Sequence, residues 1–394
     1  MAQPFSGENR DRSTPVVPGY VVRYQRYLLS RLDHFMNRAI KHPSVTVLLP
    51  VHNAAQYVGE AIESILAQTF KDFELLIIDD GSTDETPAIL ERYARLDPRI
   101  RLVCREARGL VATLNEGIGL ARGEWIARMD ADDVSVLDRL SRQLDFLKTS
   151  AFDFCGGAIE CVGGWKTIWT YPTTPEGCEV QLLFGVPFAH PAIVGRRTAF
   201  AQLGYRSEFM HCEDYDLWQR AWAEGMRMAN VPQVVLRYRI HSGQVTTLHR
   251  LEQAHATNIV RERHWRALLS FLSDDKSMRI IDVIGRGHGR SDDLLPALKH
   301  LLCRYPPEAK EIILFNSFRV FARLAKQDSQ VLRNWISLIT ATQTRLLGRN
   351  WGRASVLFLL SALGIDKQSS IYVSMRRAGA VINSIIYWLK SKIK

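Results

Sequence analysis

The stretch Trp125-Ile126-Ala127-Arg128-Met129-Asp130-Ala131-Asp132-Asp133 reads as a buried strand that ends in three carboxylates. Short apolar runs of this kind are typical of the inner strands of a parallel sheet, and ligands bind beyond the carboxyl ends of such strands. Asp130 and Asp132 are two residues apart, so on an extended chain their side chains leave the same face. Hard oxygen ligands favour Mg²⁺ or Mn²⁺, commonly together with substrate phosphates. The stretch predicts a metal site for a diphosphate, and a solvated acidic turn that caps the next helix is the alternative.

Short apolar runs alternate with segments of helical periodicity in the first half of the chain. We predict buried strands at residues 45–49, 73–78, 99–104 and 125–129. Helices are predicted to begin at Asn53, after a capping box of Ser82 and Glu85, and at Gly109. This alternation indicates βαβ units and a parallel sheet. No glycine-rich phosphate motif follows a strand, which argues against a dinucleotide or P-loop site.

A second acidic turn follows the strand at residues 73–78. It consists of Asp79-Asp80-Gly81-Ser82-Thr83-Asp84. In a doubly wound sheet such strand ends gather on one edge, so we expect this turn to lie near residues 130–133. One acidic turn alone would be an ordinary turn, whereas two on the same edge predict a nucleotide and metal site.

The chain has 394 residues, which suggests two or three domains, and its net charge of +10 is unevenly distributed. Residues 1–43 carry +4, residues 44–249 carry −7 and residues 250–394 carry +13. Basic ends indicate either solvated faces or contact with an anionic membrane or nucleic acid.

Six cysteines without a Cys-x-x-Cys pair argue against a zinc site and indicate reduced, buried thiols in a cytosolic protein. The N-terminus has no apolar core of a signal peptide.

Four blocks of the sequence resemble the family 2 glycosyltransferases, the large inverting GT-A group that uses nucleotide sugars. The blocks are residues 45–53, 64–70 with 74–84, 127–133 with 138–140, and 213–218. They occur in the family's order and cover about residues 44–245. His52 stands where a Tyr is common, and Leu137 replaces a usual Pro. The Gln-x-x-Arg-Trp motif of processive members is missing, which favours transfer of a single sugar over polymerisation.

The resemblance implies an α/β chain with a GT-A fold, in which helices flank a Rossmann-like, mostly parallel sheet. Residues 1–43 are then an N-terminal extension, partly disordered and basic, 44–249 the GT-A domain and 250–394 a helical basic C-terminal region. The implied activity moves one sugar from a nucleotide-diphosphate sugar, with a UDP-sugar expected, to a hydroxyl of a glycan or lipid-linked acceptor. Cell-surface polysaccharide biosynthesis is the implied context.

The same resemblance assigns the donor side. Asp132 is the implied direct ligand of Mn²⁺ or Mg²⁺, which stabilises the leaving diphosphate as a Lewis acid, and Asp130 is its partner on the metal or the donor ribose. Asp80 is implied to accept a hydrogen bond from the nucleotide base, with a plain turn aspartate as the alternative. The residues implied to line the same pocket, partly through their backbone, are Pro50, Val51 and Asn53.

The acceptor side is assigned to a predicted helix start at Glu213-Asp214. The helix dipole favours a carboxylate there, and simple capping is the alternative explanation. Inversion requires a base that takes the proton of the acceptor hydroxyl. The family's Glu-Asp motif places this base on its second residue, Asp214, so that Glu213 orients it or contacts the acceptor.

Two histidines complete the implied site. His190 stands where the family often has a His near the acceptor side, and a structural role is the equal alternative. His241 lies in a segment that resembles a closing segment of bacterial members, where it could reach the metal or diphosphate with help from Arg239. Neutral imidazole is a reasonable ligand of Mn²⁺. The acids expected to be turn or capping residues are Asp84, Asp133 and Asp216.

The basic C-terminal third lies outside the resemblance. It reads as helices separated by Pro296, by Pro306-Pro307 and by glycine-containing breaks at 285–289. Apolar segments at 356–363 and 378–389 are too short to cross a bilayer. They predict either helices packed on protein, on this chain or on a second subunit, or an interfacial helix on an anionic membrane. A cytoplasmic protein, either free or peripheral on the inner face of the membrane, is expected.

Two other functions fit part of the pattern. A sugar nucleotidyltransferase also binds nucleotides on a doubly wound sheet, but it does not need Glu213-Asp214 at a helix start. A non-catalytic scaffold or nucleic-acid binder would use the basic tail. That tail lacks the interleaved aromatic residues of single-strand binding platforms, so no nucleic-acid partner is expected. The sequence leaves a homo-oligomer open.

Overall fold

The computed structural model describes residues 42–163, 167–241, 250–270 and 273–341. The chain divides between Pro43 and Ser44 into two units, and every element below belongs to the second. The roughly helical spacing of Tyr24, Leu28, Leu32 and Phe35 predicts an amphipathic helix at residues 21–41. This segment and the apolar segments at 356–363 and 378–389 lie outside the described residues. Their packing or membrane roles therefore stay predictions.

Four parallel strands form the first half of the sheet. They are β1 (Val45–Val51), β2 (Phe73–Asp80), β3 (Ile100–Arg105) and β4 (Trp125–Arg128), joined in order by helices α1 (Val58–Leu66), α2 (Thr86–Leu96) and α3 (Leu110–Leu120). β1 and β2 are buried along their whole length, as expected of parallel strands covered on both faces. The strand order is β3-β2-β1-β4, so β2 and β4 lie on either side of β1 and their carboxyl ends share one edge.

The second half extends the same sheet with mixed pairing. Its elements are β5 (Val134–Ser135), α4 (Arg139–Ser150), β6 (Phe154–Val162), β7 (Thr167–Trp169), α5 (Pro175–Gln181), β8 (Val194–Arg196), α6 (Arg197–Leu203), α7 (Glu213–Ala223) and β9 (Met228–Arg239). β8 is antiparallel to both β4 and β6, and β9 is parallel to β6. β9 also pairs antiparallel with β5, with Arg237 opposite Val134. Because of this pairing, the end of β9 lies next to the acidic turn that follows β4.

The C-terminal part is helical and packs against the α/β part. Its elements are α8 (Arg250–Leu268), α9 (Asp274–Ile281), a π-helical turn (Asp282–Arg286), α10 (Ser291–Arg304), α11 (Pro307–Leu324) and α12 (Val331–Thr340). Buried Trp265 and Trp335 belong to a core that includes Val180 and Leu183, and the Trp265 indole donates to the Leu183 carbonyl at 2.8 Å. Within the described ranges, no helix combines the length and the apolar character required to cross a membrane.

Three predictions about element ends are wrong. Helix α1 begins at Val58 because Asn53 adopts a left-handed conformation (φ 48°) and accepts a hydrogen bond from the Thr83 amide at 2.8 Å. No capping box forms at Ser82, since its hydroxyl donates to Asp79 Oδ1 at 2.6 Å and α2 begins at Thr86. Pro296 lies inside α10, where its missing amide is tolerated because the leucines around it are buried.

The cysteine prediction is correct in part. All six cysteines are free thiols, and four of them are buried. Cys104 and Cys303 are exposed, because β3 has an outer, partly exposed side and Cys303 lies in the last turn of α10.

Candidate active site

Three carboxylates meet in the turn after β4. The ligand oxygens of Asp130, Asp132 and Asp133 lie within 4.8 Å of one another. Asp133, which was predicted to be only a turn residue, is buried, and its Oδ2 has no partner in the described residues. Burial, followed by the charges of Asp130 and Asp132, raises its pKa well above the ordinary value. Mutual repulsion of this kind is what a divalent cation relieves, and an all-oxygen carboxylate set fits Mg²⁺ or Mn²⁺.

The end of β9 lies against this acidic turn. His241 Nε2 is 2.9 Å from Asp132 Oδ2, and its ring lies 5.2 Å from the Tyr57 ring. Arg239 donates from Nε to the Asp132 carbonyl at 2.9 Å and from its amide to Asp133 Oδ1 at 3.0 Å. The structure therefore brings His241 and Arg239 to the predicted metal residues. The His241 imidazole lies beside the Asp132 carboxylate, and the Arg239 guanidinium donates to the backbone of the same turn.

Arg128 is a site residue that the sequence analysis missed. It is only 3 % exposed and forms a bidentate ion pair with Asp130, at 2.7 Å to Oδ2 and 2.5 Å to Oδ1. The signal was present in the sequence, since a single arginine in an otherwise apolar strand lies two residues before Asp130 and shares its face. A bidentate guanidinium fixes the orientation of the carboxylate.

The Glu213-Asp214 pair occupies the first turn of α7. Glu213 is 7 % exposed, and burial, followed by the Asp214 charge, raises its pKa to about 7. Asp214 is partly exposed and accepts a hydrogen bond from the Tyr215 amide at 2.7 Å, and burial also raises its pKa. The charge of Arg128 lowers the pKa of both carboxyls, whereas the charge of Asp130 raises both pKa values. The acid pair and the carboxylates after β4 therefore belong to one electrostatic cluster around Arg128.

His190 lies beside the same cluster, in a single 3₁₀ turn before β8. Its Nε2 is 2.8 Å from the Tyr205 hydroxyl, and its ring lies 6.3 Å from Trp218. Burial, followed by the charge of Arg128, lowers its pKa well below the ordinary value, so this imidazole is neutral. Tyr205, which was not predicted, is buried and is the direct partner of His190.

Asp80 of the second acidic turn is surrounded by donors from the end of β3 and from the residues between β3 and α3. Oδ1 accepts from the Arg108 amide at 2.8 Å and from the Arg105 guanidinium, and Oδ2 accepts from the Gly109 amide at 2.8 Å. Burial raises the pKa of Asp80, but these amides and Arg105 outweigh it, and the net pKa is lowered. Asp80 is thus a fixed, ionised acceptor at the edge of the sheet.

The other predicted pocket residues adjoin this turn. Pro50 and Val51 end β1, with Val51 in register with Asp79 of β2. The backbone N–H of Asn53 donates to the Ser82 hydroxyl at 2.8 Å, in addition to the contact with Thr83 described above. The turns after β1 and β2 are therefore tied together beside Asp80.

Comparison with known proteins places this arrangement in a family. Residues 46–210 match the model of glycosyl transferase family 2. The O-antigen biosynthesis glycosyltransferase WbnJ of Escherichia coli is 34 % identical over 205 residues, which cover 50 % of this chain and 80 % of that protein. An uncharacterized glycosyltransferase of Haemophilus influenzae is 30 % identical over 226 residues, 54 % of this chain and 70 % of that protein.

Among solved structures, S. aureus TarS 1-349 in complex with UDP-GlcNAc shares the fold. Its TM-score is 0.50 at 15 % identity, covering 81 % of this chain and 90 % of that chain. The mostly parallel sheet with flanking helices and a helical C-terminal part agrees with the predicted GT-A architecture. The chain belongs to glycosyl transferase family 2 and is a glycosyltransferase.

Proposed function

We propose that this glycosyltransferase moves one sugar, with inversion, from a UDP-sugar to a hydroxyl of a glycan or lipid-linked acceptor in cell-surface polysaccharide biosynthesis. One observation carries the proposal: buried Arg128 is ion-paired with Asp130 of the metal-type carboxylate cluster, and its charge also acts on Glu213 and Asp214. An inverting transfer needs one such group for the leaving diphosphate and another for the acceptor.

The leaving-group side is the turn after β4. When bound, Mn²⁺ or Mg²⁺ supplies Lewis-acid stabilisation to the departing diphosphate. Asp132 is the residue that would hold it directly, with Asp130 as second carboxylate. Arg128 fixes the orientation of Asp130 through the bidentate ion pair, and His241 orients Asp132 or joins it as a ligand.

The acceptor side is the first turn of α7. The acceptor hydroxyl loses its proton to the Asp214 carboxylate as its oxygen attacks the anomeric carbon. Asp214 suits this role better than Glu213 because it is partly exposed, whereas Glu213 is buried. Its raised pKa improves proton-accepting power at neutral pH. We assign His190, which is neutral and hydrogen-bonded to Tyr205, to this side, where it would contact the acceptor.

The donor base is assigned to the turns after β1 and β2. Asp80 is the acceptor for a base N–H, and Pro50, Val51 and Asn53 line the surrounding wall. The crystallised neighbour binds UDP-GlcNAc, and the E. coli relative is named for O-antigen biosynthesis, which supports a UDP-sugar and a polysaccharide product. Family membership favours transfer over the nucleotidyltransferase and scaffold alternatives.

A donor panel tests the proposal. Hydrolysis of UDP-, GDP- and TDP-sugars is measured with Mn²⁺ and Mg²⁺, and UDP binding is titrated by calorimetry with and without Mn²⁺. Asp132→Ala is expected to abolish the metal-dependent part of UDP binding, while Asp145→Ala, which removes an exposed carboxylate of α4, leaves it unchanged. Equal, metal-independent binding in wild type and Asp132→Ala would contradict the metal assignment.

A further inference from the structure

A cavity of about 210 Å³ lies between the C-terminal helices and Phe184 of the α/β part. Three arginines line it: Arg261 of α8, and Arg319 and Arg323 of α11. Its wall also includes Gly285 of the π-helical turn. We name this cavity, with its three arginines, the arginine pocket. No residue assigned above to donor, metal or acceptor lines it.

The three guanidinium groups have no acidic partner in the parts of the chain that the structure describes. Arg261 is 9 % exposed and donates to Asn258 Oδ1 at 2.9 Å and to the Phe184 carbonyl at 3.0 Å, while its Nε has no partner there. Arg323 donates to the Ile284 carbonyl. All of these partners are neutral, so three positive charges share the pocket without compensation.

The three positive charges also act on one another. Burial lowers the pKa of Arg323, and the charges of Arg261 and Arg319 lower it further. Arg261 is buried, Arg323 is half-buried and Arg319 is exposed, and a charge as buried as that of Arg261 is normally paired. A bound anion would provide the missing pair, and guanidinium groups bind phosphate oxygens in a bidentate geometry.

The local backbone is built around this arrangement. A π-helical turn interrupts the path from α9 to α10 at Asp282–Arg286, and such turns are frequent at functional sites. A Cβ on Gly285 would lie 2.3 Å from Asn258 Oδ1, the atom that holds Arg261. Glycine at this position therefore allows the asparagine to approach and to orient the buried guanidinium.

We propose that the arginine pocket binds a phosphate group, carried either by a soluble phosphate or by a lipid headgroup. Pockets for ligands of drug size occupy about 300–1,000 Å³, so a cavity of about 210 Å³ suits a smaller group than a second nucleotide sugar. It has room for one phosphate group and its waters. The pocket is separate from the proposed donor site, so its occupancy does not depend on the proposed catalytic roles.

The test uses inorganic phosphate as the probe and the full chain as the protein. Calorimetric titration is run without divalent metal ions and repeated with saturating UDP and Mn²⁺, which occupy the strand edge. We expect one phosphate per chain under both conditions. Arg319→Gln, at an exposed position that tolerates substitution, and Gly285→Ala, which keeps the charge, should each weaken binding at least tenfold. Arg333→Gln removes the same charge from an exposed position of α12 outside the pocket and should bind as wild type does.

A sedimentation assay separates the two sources of the phosphate. Phosphatidylcholine vesicles with and without phosphatidic acid are compared for wild type, Arg319→Gln and Arg333→Gln. Pelleting that requires both phosphatidic acid and Arg319 identifies a lipid headgroup, and phosphate binding without such pelleting identifies a soluble ligand. The proposal is overturned if phosphate does not bind, or if all variants bind it equally, which would indicate an adventitious ion only.

Discussion

The Nε2 atom of His241 lies 2.9 Å from Oδ2 of Asp132, although 109 residues separate the two in the chain. The contact follows from the strand pairing of the sheet. Strand β5 begins directly after the acidic turn, and β9 pairs with it in antiparallel orientation, with Arg237 opposite Val134. The residues that leave β9 therefore reach the carboxylates at the end of β4. An imidazole in this position either orients the carboxylate or becomes a ligand beside it.

Replacing His241 tests that relationship. We expect His241→Ala to weaken Mn²⁺-dependent UDP binding by about 10–100-fold, as loss of a group that orients a metal ligand commonly does. Calorimetry of UDP at fixed Mn²⁺ measures it. His288→Ala removes an exposed histidine of the helical part and should have no effect. Unchanged UDP affinity in His241→Ala would show that the imidazole contributes nothing to the site.

The buried ion pair of Arg128 and Asp130 predicts a stability effect. Arg128→Gln leaves Asp130 without its partner, and breaking a buried pair costs about 3–5 kcal/mol. Since Asp130 is 30 % exposed, the loss should fall near the lower end of that range. Urea unfolding measures it, and Arg142→Gln, which breaks the exposed pair with Asp138, should cost less than about 1 kcal/mol.

A double-mutant cycle supplies the decisive comparison for this pair. Adding Asp130→Asn to Arg128→Gln removes the unpaired carboxylate, so part of the lost stability should return. If the two substitutions are simply additive in the free energy of unfolding, the ion pair does not hold the carboxylate as described.

The raised pKa of Glu213 predicts how stability depends on pH in the metal-free protein. Its folded pKa of about 7 lies above the ordinary value of 4.5, so the folded state binds the proton more tightly. The contribution of Glu213 to the free energy of unfolding is therefore fully present below a pH of about 4.5, and it is lost as the pH rises through about 7. Glu213→Gln should leave stability near pH 4 unchanged and raise it at pH 8 by up to about 3 kcal/mol.

Thermal and urea unfolding at pH 4, 6 and 8 check that prediction. Glu224→Gln, at an exposed position after α7, provides the control and should show no such pH dependence. Because Glu213 titrates together with Asp214, the midpoint belongs to the pair. A Glu213→Gln variant that is less stable than wild type at pH 8 would show that the ionised carboxyl is stabilised in the fold.

The sequence predicts much of the sheet but little of the polar contact network. Strands β1 to β4 carry short runs that are mostly apolar, and the first turn of α7 carries a recognisable acidic pair, so both follow from local pattern. The position of Tyr205 beside His190 depends on which elements pack together, and no local pattern reports that. Asn53 and Pro296 were misread for the same reason, since tertiary contacts override their usual roles as helix start and helix break.

The acceptor-side assignment depends most on Asp214. Asp214→Asn keeps the shape of the side chain and an oxygen that can accept from the Tyr215 amide, but it cannot take a proton. Asparagine at position 214 therefore distinguishes a catalytic base from a residue with a purely structural role, because it removes the first function and keeps the second. Glu213→Gln is the matched comparison, because it changes the buried neighbour of the same turn and should reduce the rate less.

The most direct measurement is the rate of sugar release from the donor that the hydrolysis panel identifies, for wild type and Asp214→Asn, together with the Kd for UDP and Mn²⁺. We predict that kcat falls by about 10²–10⁴-fold, the usual contribution of a general base, while the Kd stays within about twofold of wild type. A kcat within a few-fold of wild type, at unchanged Kd, would contradict the assignment of Asp214 as the catalytic base.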